Sequence, residues 1–458
     1  MIKRKGTNIY LKYLRRRKEK IERANRKRRN RKKRFLYQKG LYRNEEVKKP
    51  KKVVKNIQLQ LVREKLDRSN FDVENFSLKS SRDFTVPENF SFFDEPNMVI
   101  DLIKGVYSAG KNKRINKITI SHNQCNNLGL DASVFMDIIV LAIINYRKKI
   151  NASFEILGDF VEDGETKDIL LASGLPTHLG LKLDVNYDKS KVRKFNMVSG
   201  INSPEDKKSD LIATRLTEYF DRCLRTQWMS INNEGKMLLS VILGEVINNS
   251  IIHGGESSTW YTQGHYQMKN GNEYGEMQLV FLNIGDTIYE GLLKESSNET
   301  KEVLEIINKK HRPLYSESWN QEMLYTVFSL QEGISRLKDK NIEGYGSRGT
   351  GTINLIEMFY AIGETASGLH PRMTLTSGHT HIIFNERYQL SNVSFDNDPI
   401  FDSKPKRILA FNKENDIYSQ PDRENVIRLK EYFPGTIISL RFYLDNRYIQ
   451  EIQKGKVK

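Results

Sequence analysis

KMLLSVILGEVINNSIIHGG, residues 236–255, decides the reading of the chain. It holds no Pro and no internal turn signal, and the Gly254–Gly255 pair suits a left-handed cap, so it predicts one long helix. Leu238, Leu239, Val241, Ile242, Val246, Ile251 and Ile252 wrap most of its circumference, which predicts a helix deep inside a domain. Against that background Glu245, Asn249 and His253 fall at i, i+4 and i+8 and stack along one face. Unpaired burial of such groups is costly, so a carboxylate and a carboxamide one turn apart need partners. Neighbouring backbone is one source of partners, and a ligand carrying a metal is the other. His253 sits where the helix dipole favours a histidine and stays outside the candidate set.

Two strands follow, Thr259–Met268 and Glu276–Asn283, joined through the turn signal Asn270–Gly271. The second strand runs into LVFLNIGDTIYEGL, residues 279–292. Farther on, EGYGSRGTGTINLIEMF (343–359) sets Gly344, Gly346, Gly349 and Gly351 directly before a helix. A glycine-rich loop at a helix N-terminus offers free N–H groups and a favourable dipole to phosphates.

These stretches resemble, in order, the boxes of the GHKL (Bergerat-fold) ATPases. GEVINNSIIHG looks like the first box, closest in flavour to that of the anti-sigma-factor kinases. NIGDTI is similar to the second and GSRGTGTINLIE to the third. MTLTSGHTHIIF and the late FPGTIISLRFYL resemble the strands that finish the domain, over about 205–445. The resemblance implies an α/β sandwich, a mixed sheet with helices on one face, binding ATP and Mg²⁺. Glu245 would be the catalytic carboxylate acting on water or a hydroxyl. Asn249 would hold Mg²⁺ through its amide oxygen. Asn283 and Thr436 would read the adenine, with Gly285 letting backbone approach it. Gly346, Gly349 and Gly351 would wrap the phosphates, with Arg348 as charge partner. Residues 290–343 would form an unusually long lid.

Two positions depart from the family pattern. Asn283 stands where an aspartate pairs with the adenine amino group, a loss of about 1 kcal/mol for a neutral in place of a charge-assisted hydrogen bond. Thr287 replaces a glycine.

Upstream, the pattern from Met98 alternates helix and strand: a helix over Val99–Ala109, a strand over Lys117–Ser121 and a helix from Asp131. A strand over Ala152–Leu157 and a helix over Glu165–Ser173 complete it. That alternation predicts a small parallel sheet within 96–190. FVEDGETKDILLASGLPTHLG (160–180) resembles the last helix of STAS-like domains, whose antagonist members accept a phosphate on a serine near the position of Ser133. The surrounding LDASVFMD departs from their serine-glycine pattern, and Ser133 reads as an ordinary helix-start serine.

With 458 residues the chain is long enough for two or three domains. Its charge is segregated. Residues 1–60 carry 25 Lys and Arg against 4 Glu, a balance of +21, leaving −4 to the rest of a chain whose total is +17. Tyr10, Tyr13, Phe35, Tyr37 and Tyr42 interleave with those cations, the composition of a nucleic-acid contact surface. A solvated tail, or one drawn to any anionic partner, has the same composition. Residues 61–95 read as a polar linker, 391–430 as a surface insertion suited to a protein partner, and 446–458 as a basic tail.

Cys125 and Cys223 have no metal-ligand spacing, and the longest apolar run, Ile138–Ile144, is too short to span a bilayer. These features point to a cytoplasmic protein without membrane contact. Three functions stay open: an ATP-driven switch, an ATPase acting on nucleic acid through its arm; a serine/threonine kinase of the anti-sigma type; and a nucleotide-binding interaction module. A protein partner could equally sit on the STAS-like domain, and a homodimer is compatible with all three.

Overall fold

The computed structural model describes residues 57–72, 80–159, 164–181, 187–202, 209–252, 254–255, 257–269, 273–332, 351–361, 368–394 and 406–447. Residues 56–458 form one compact unit. The protein is mixed α/β, with both parallel and antiparallel sheets. Among the described residues no helix is long and apolar enough to cross a membrane.

The N-terminal part follows the predicted alternation. Strands β1 (Ser81–Thr85), β3 (Lys117–Ser121) and β5 (Glu155–Asp159) form a three-stranded parallel sheet in the order β1-β3-β5. Helix α1 (Ile57–Arg68) precedes it, α2 (Pro96–Lys111) and α3 (Leu130–Lys149) connect it, and α4 (Glu165–Ser173) and α5 (Leu175–Leu179) follow. A short parallel pair, β2 (Asn89–Phe90) with β4 (Asn127–Leu128), lies beside it. Helix α3 is apolar almost all round (VFMDIIVLAII), and such a helix must be covered on every side.

The larger part is a five-stranded sheet in the order β6-β7-β8-β12-β9, from β6 (Val192–Ile201), β7 (Thr259–Lys269), β8 (Tyr274–Ile284), β9 (Arg372–Phe384) and β12 (Val426–Leu444). All four of its pairings are antiparallel, which corrects the mixed sheet expected from sequence. Strands β7 and β8 pair in register from Thr259↔Ile284 to Lys269↔Tyr274, and an up-and-down pair joined by a short turn can only run antiparallel. On one face lie α6 (Ser209–Arg225), α7 (Asn233–Ile252), α8 (Ile288–Glu295), α9 (Asn298–His311), α10 (Gln321–Phe328) and α11 (Gly351–Ala361). A small antiparallel pair, β10 (Ser391–Val393) with β11 (Lys406–Ile408), sits at their margin.

The second face is covered too, and not open as the one-sided expectation had it. Tyr261, Val280, Leu282, Ile284, Phe433 and Ile437 of the large sheet share one core with α1, α2 and α3. The rings of Phe135 and Phe433 stand 4.9 Å apart, and those of Phe92 and Phe433 5.6 Å. Polar bonds stitch the same seam: Leu130 N donates to Gln278 Oε1 at 2.8 Å, and Lys104 pairs with Glu431 at 2.7 Å. The layers are therefore parallel sheet, helices, antiparallel sheet, helices.

Three stretches differ from their sequence reading. Residues 61–95, read as a linker, hold the end of α1 and the strands β1 and β2, because Val62 and Leu66 give α1 an apolar face that enters the core. Residues 290–332, read as part of a lid, are helices whose Leu304, Ile307, Met323 and Phe328 are buried core. Within 391–430, Leu409, Phe411 and Val426 join the same core, so its second half is not a surface loop.

His265 on β7 is sealed between α4 and the sheet, with Ser173 Oγ 3.0 Å from its Nδ1. Burial, with Lys269 adding to it, pushes its pKa down to about 4. The unfolded imidazole, near 6.5, takes a proton the folded one refuses, so this contribution is full above about pH 6.5 and is lost as pH falls toward 4. The cost of His265→Gln in urea denaturation is therefore expected to be about 3 kcal/mol smaller at pH 4 than at pH 7. A pH-independent cost would show that His265 titrates normally.

Candidate functional site

Asn232 opens α7 by accepting the Gly235 N–H at 2.7 Å, and beyond the helix end at Ile252 Gly255 stands in the left-handed region at φ +79°. The helix is not buried all round. Leu239, Ile242, Leu243, Val246 and Ile247 face the sheet, while Met237, Leu238 and Val241 are 70%, 62% and 59% exposed, because α7 covers the sheet as its outer layer. Glu245 and Asn249 lie half-buried at the margin between those two stripes.

Glu245 Oε2 accepts the Asn354 carboxamide N–H at 3.3 Å from α11, the helix that Gly351 begins. Arg407 of β11 donates in turn to Asn354 Oδ1 at 3.3 Å, and is itself held by Glu332 and by Glu357 at 2.8 Å. A half-buried carboxylate thus meets a neutral amide that is fixed from behind by a paired cation.

The two-residue period of the strands sets the floor. Met277, Leu279 and Phe281 of β8 point to the α7 side, which puts Asn283 on that face as well; Leu440 and Phe442 do the same for Thr436 on β12. Asn283 and Thr436 are direct cross-strand partners, and Thr436 N donates to Asn283 Oδ1 at 2.9 Å. Ser377 on β9 completes the row, with its hydroxyl 2.9 Å from Thr436 Oγ1 and accepting Ile288 N at 2.9 Å.

The NIGD turn joins this floor to the end of α7. A Cβ on Gly285 would lie 2.2 Å from the Gly254 carbonyl oxygen, so only glycine fits there. Asp286 N donates to that same carbonyl at 2.7 Å. The Asp286 carboxylate pairs with Lys65 of α1 at 2.9 Å and Lys294 of α8 at 3.0 Å. Burial opposes its ionisation, but the two ammonium groups outweigh it and hold its pKa below the usual carboxylate range. Thr287, the departure from the glycine pattern, caps α8 in a reciprocal box with Glu290.

Asn283, Gly285 and Thr436 lie together at the ends of β8 and β12 beside Gly254, while Glu245 meets Asn354 of α11 and Asn249 lies one turn along the Glu245 helix. Gly351 starts α11, whereas Gly346, Arg348, Gly349 and His253 lie outside the described residues, as do the arm through residue 56 and most of the tail. Lys65, Asn354, Ser377 and Arg407 were not expected at the site. Asn354 was legible, one turn into the helix after the glycine-rich loop; Lys65 was hidden in the stretch read as a linker.

Among the described residues no group of three or more His, Cys, Asp or Glu side chains is placed to hold a metal. The oxygens of Glu245 and Asn249, one turn apart, are donors of the hard type, and they suit an ion that keeps most of its waters. A scan of protein-family models and searches of curated proteins and solved structures each give no match.

Proposed function

We propose that the chain binds Mg·ATP between α7, α11 and the five-stranded sheet, and works as a nucleotide-driven switch of the GHKL kind. What supports this reading is the convergence of stretches far apart in sequence. Asn354, just past the glycine-rich loop, reaches Glu245; the NIGD turn bonds the end of the Glu245 helix; Thr436 bonds Asn283. In this reading Mg²⁺ offsets the charge of the phosphates. Asn249 holds that ion, Asn283 and Thr436 orient the adenine, and Gly285 keeps the backbone close beneath it. Glu245, steadied by Asn354, accepts a proton from the attacking water. Gly346, Arg348, Gly349 and Gly351 wrap the phosphates from the loop that enters α11. The N-terminal α/β part is the STAS-like layer of the proposal, packed on the sheet that carries Asn283.

Calorimetric titration of the full chain with ATP tests it. Saturable binding that depends on Mg²⁺ is expected, and Asn249→Ala should remove most of that dependence. Wild-type protein that takes up no ATP at millimolar concentration sinks the proposal. If Glu245 serves a partner's hydroxyl, labelled ATP yields phosphoprotein and not free phosphate.

The 25 cations of residues 1–60, interleaved with aromatics, support nucleic acid as the partner of the arm. Removing them should abolish DNA or RNA binding at moderate salt, and unchanged binding by the shortened chain would refute that part.

A further inference from the structure

A cavity lies on the other side of the molecule from α7, between α3, the edge strand β5 and the α4–α5 corner. Its volume of about 470 Å³ falls in the range of drug-sized ligand sites, about 300–1,000 Å³. One face of α3 supplies its long wall: Ser133, Met136, Asp137, Val140, Ile144 and Arg147 recur at helical spacing and all line it. Ile156, Leu170 and Leu175 close the opposite side. Leu157, Leu179 and Leu181 also line it and are exposed, so the approach is apolar.

The polar groups along this wall are deeply buried and incompletely used. Ser133, Asp137 and Arg147 are 4%, 4% and 2% exposed, yet Ser133 Oγ and Arg147 Nη1 make no hydrogen bond, and Asp137 Oδ2 has only His178 Nε2 near it. Arg147 Nε and Nη2 donate to the carbonyls of Gly110, Asn112 and Ile115. Its guanidinium lies over the Phe154 ring at 4.7 Å. Those partners supply hydrogen bonds and a π face but no negative charge, and a buried cation ordinarily has a counter-ion. Asp137 cannot serve, since ten residues of helix separate the two by about 15 Å. Its carboxylate lies 3.4 Å from His178 instead, and burial pushes the Asp137 pKa up. Lys148, exposed, stands beside Arg147 at the rim.

We propose that this cavity binds an amphipathic anion: a carboxylate or phosphate head beside Arg147 and Lys148, an apolar body along Val140 and Ile144, and a distal hydroxyl or amide facing Ser133 and Asp137. The site shares no residue with the nucleotide reading and stands or falls without it. The same occupancy accounts for Ser133 as a buried pocket group.

Calorimetry on the full chain with decanoate, decyl phosphate, ω-hydroxydecanoate and uncharged decanol, each below its self-association concentration, tests the assignment. One site per chain is expected. Both anions should bind at least tenfold tighter than decanol, and the ω-hydroxy acid tighter than decanoate. The stronger of the two anions identifies the head group. Ile144→Trp fills the cavity and should weaken all four at least tenfold, with circular dichroism reporting its fold. Lys148→Met, at an exposed position, should narrow the preference for anions. Equal affinity for decanol and decanoate, no saturation by any of the four, or unchanged binding by a folded Ile144→Trp chain would each overturn the proposal.

Discussion

Phe433→Ala is expected to cost the fold about 3–5 kcal/mol, and to lower the stability of both halves of the molecule together. The ring is fully buried where the two halves meet, against Phe135 from one side and Phe92 from another. Its core is shared by α1, α2, α3 and the large sheet, so the void left by the ring weakens contacts in both. The remaining seam is too continuous to let one half melt alone. Guanidinium denaturation followed by two signals checks this. Far-ultraviolet circular dichroism reports the whole chain, while Trp260 and Trp319 belong to the core on the α7 side. Both signals should move to the same lower midpoint. A tryptophan midpoint left at its wild-type value would mean that the halves unfold separately, and the single-unit description would be wrong.

Glu245→Gln is expected to slow ATP hydrolysis by roughly 10²–10⁴-fold while leaving ATP affinity within a few-fold of wild type. The substitution is nearly isosteric, and its amide oxygen can still accept from Asn354, so α7 and α11 keep their contact. What is lost is the ability to take a proton. Phosphate release under saturating Mg·ATP measures it, and a rate equal to wild type would remove Glu245 from the catalytic role. This rests on the proposed nucleotide site, whose own test is binding. Failure to bind and failure to slow are therefore separate results.

Some of this architecture was readable before any coordinates. The α7 helix, the antiparallel strands on either side of Asn270–Gly271 and the strand–helix alternation from residue 98 all carry strong local signals, and the structure has these elements within a few residues. The coarse α/β class followed. The helices between 288 and 328 were equally legible by their caps. Thr287, Ser297 and Asn320 each accept from the backbone three residues on, but expecting a lid there overrode those signals. β1 was harder, because SRDFT alternates between exposed and half-buried positions and contributes almost nothing apolar. The covering of the second sheet face was not readable. An antiparallel strand usually leaves one face to water, and only the partner layer tells β8 that both of its faces are buried. For the site, residue types in the boxes pointed to Glu245, Asn283 and Thr436. Their neighbours Lys65, Ser377 and Arg407 come from elements whose approach is a matter of tertiary packing.

The order β6-β7-β8-β12-β9 has a consequence for how the chain is made. The strand that enters last, β12, lies between β8 and β9, and its nineteen residues pair with both. During synthesis β9 leaves the ribosome with no lateral neighbour to dock on, and Phe433 is still missing from the core that α2 and α3 will need. Early segments can collapse, but the sheet cannot close until residues 426–444 have emerged. A nascent chain halted before β12 therefore exposes two unsatisfied strand edges to holding chaperones and to its own aggregation.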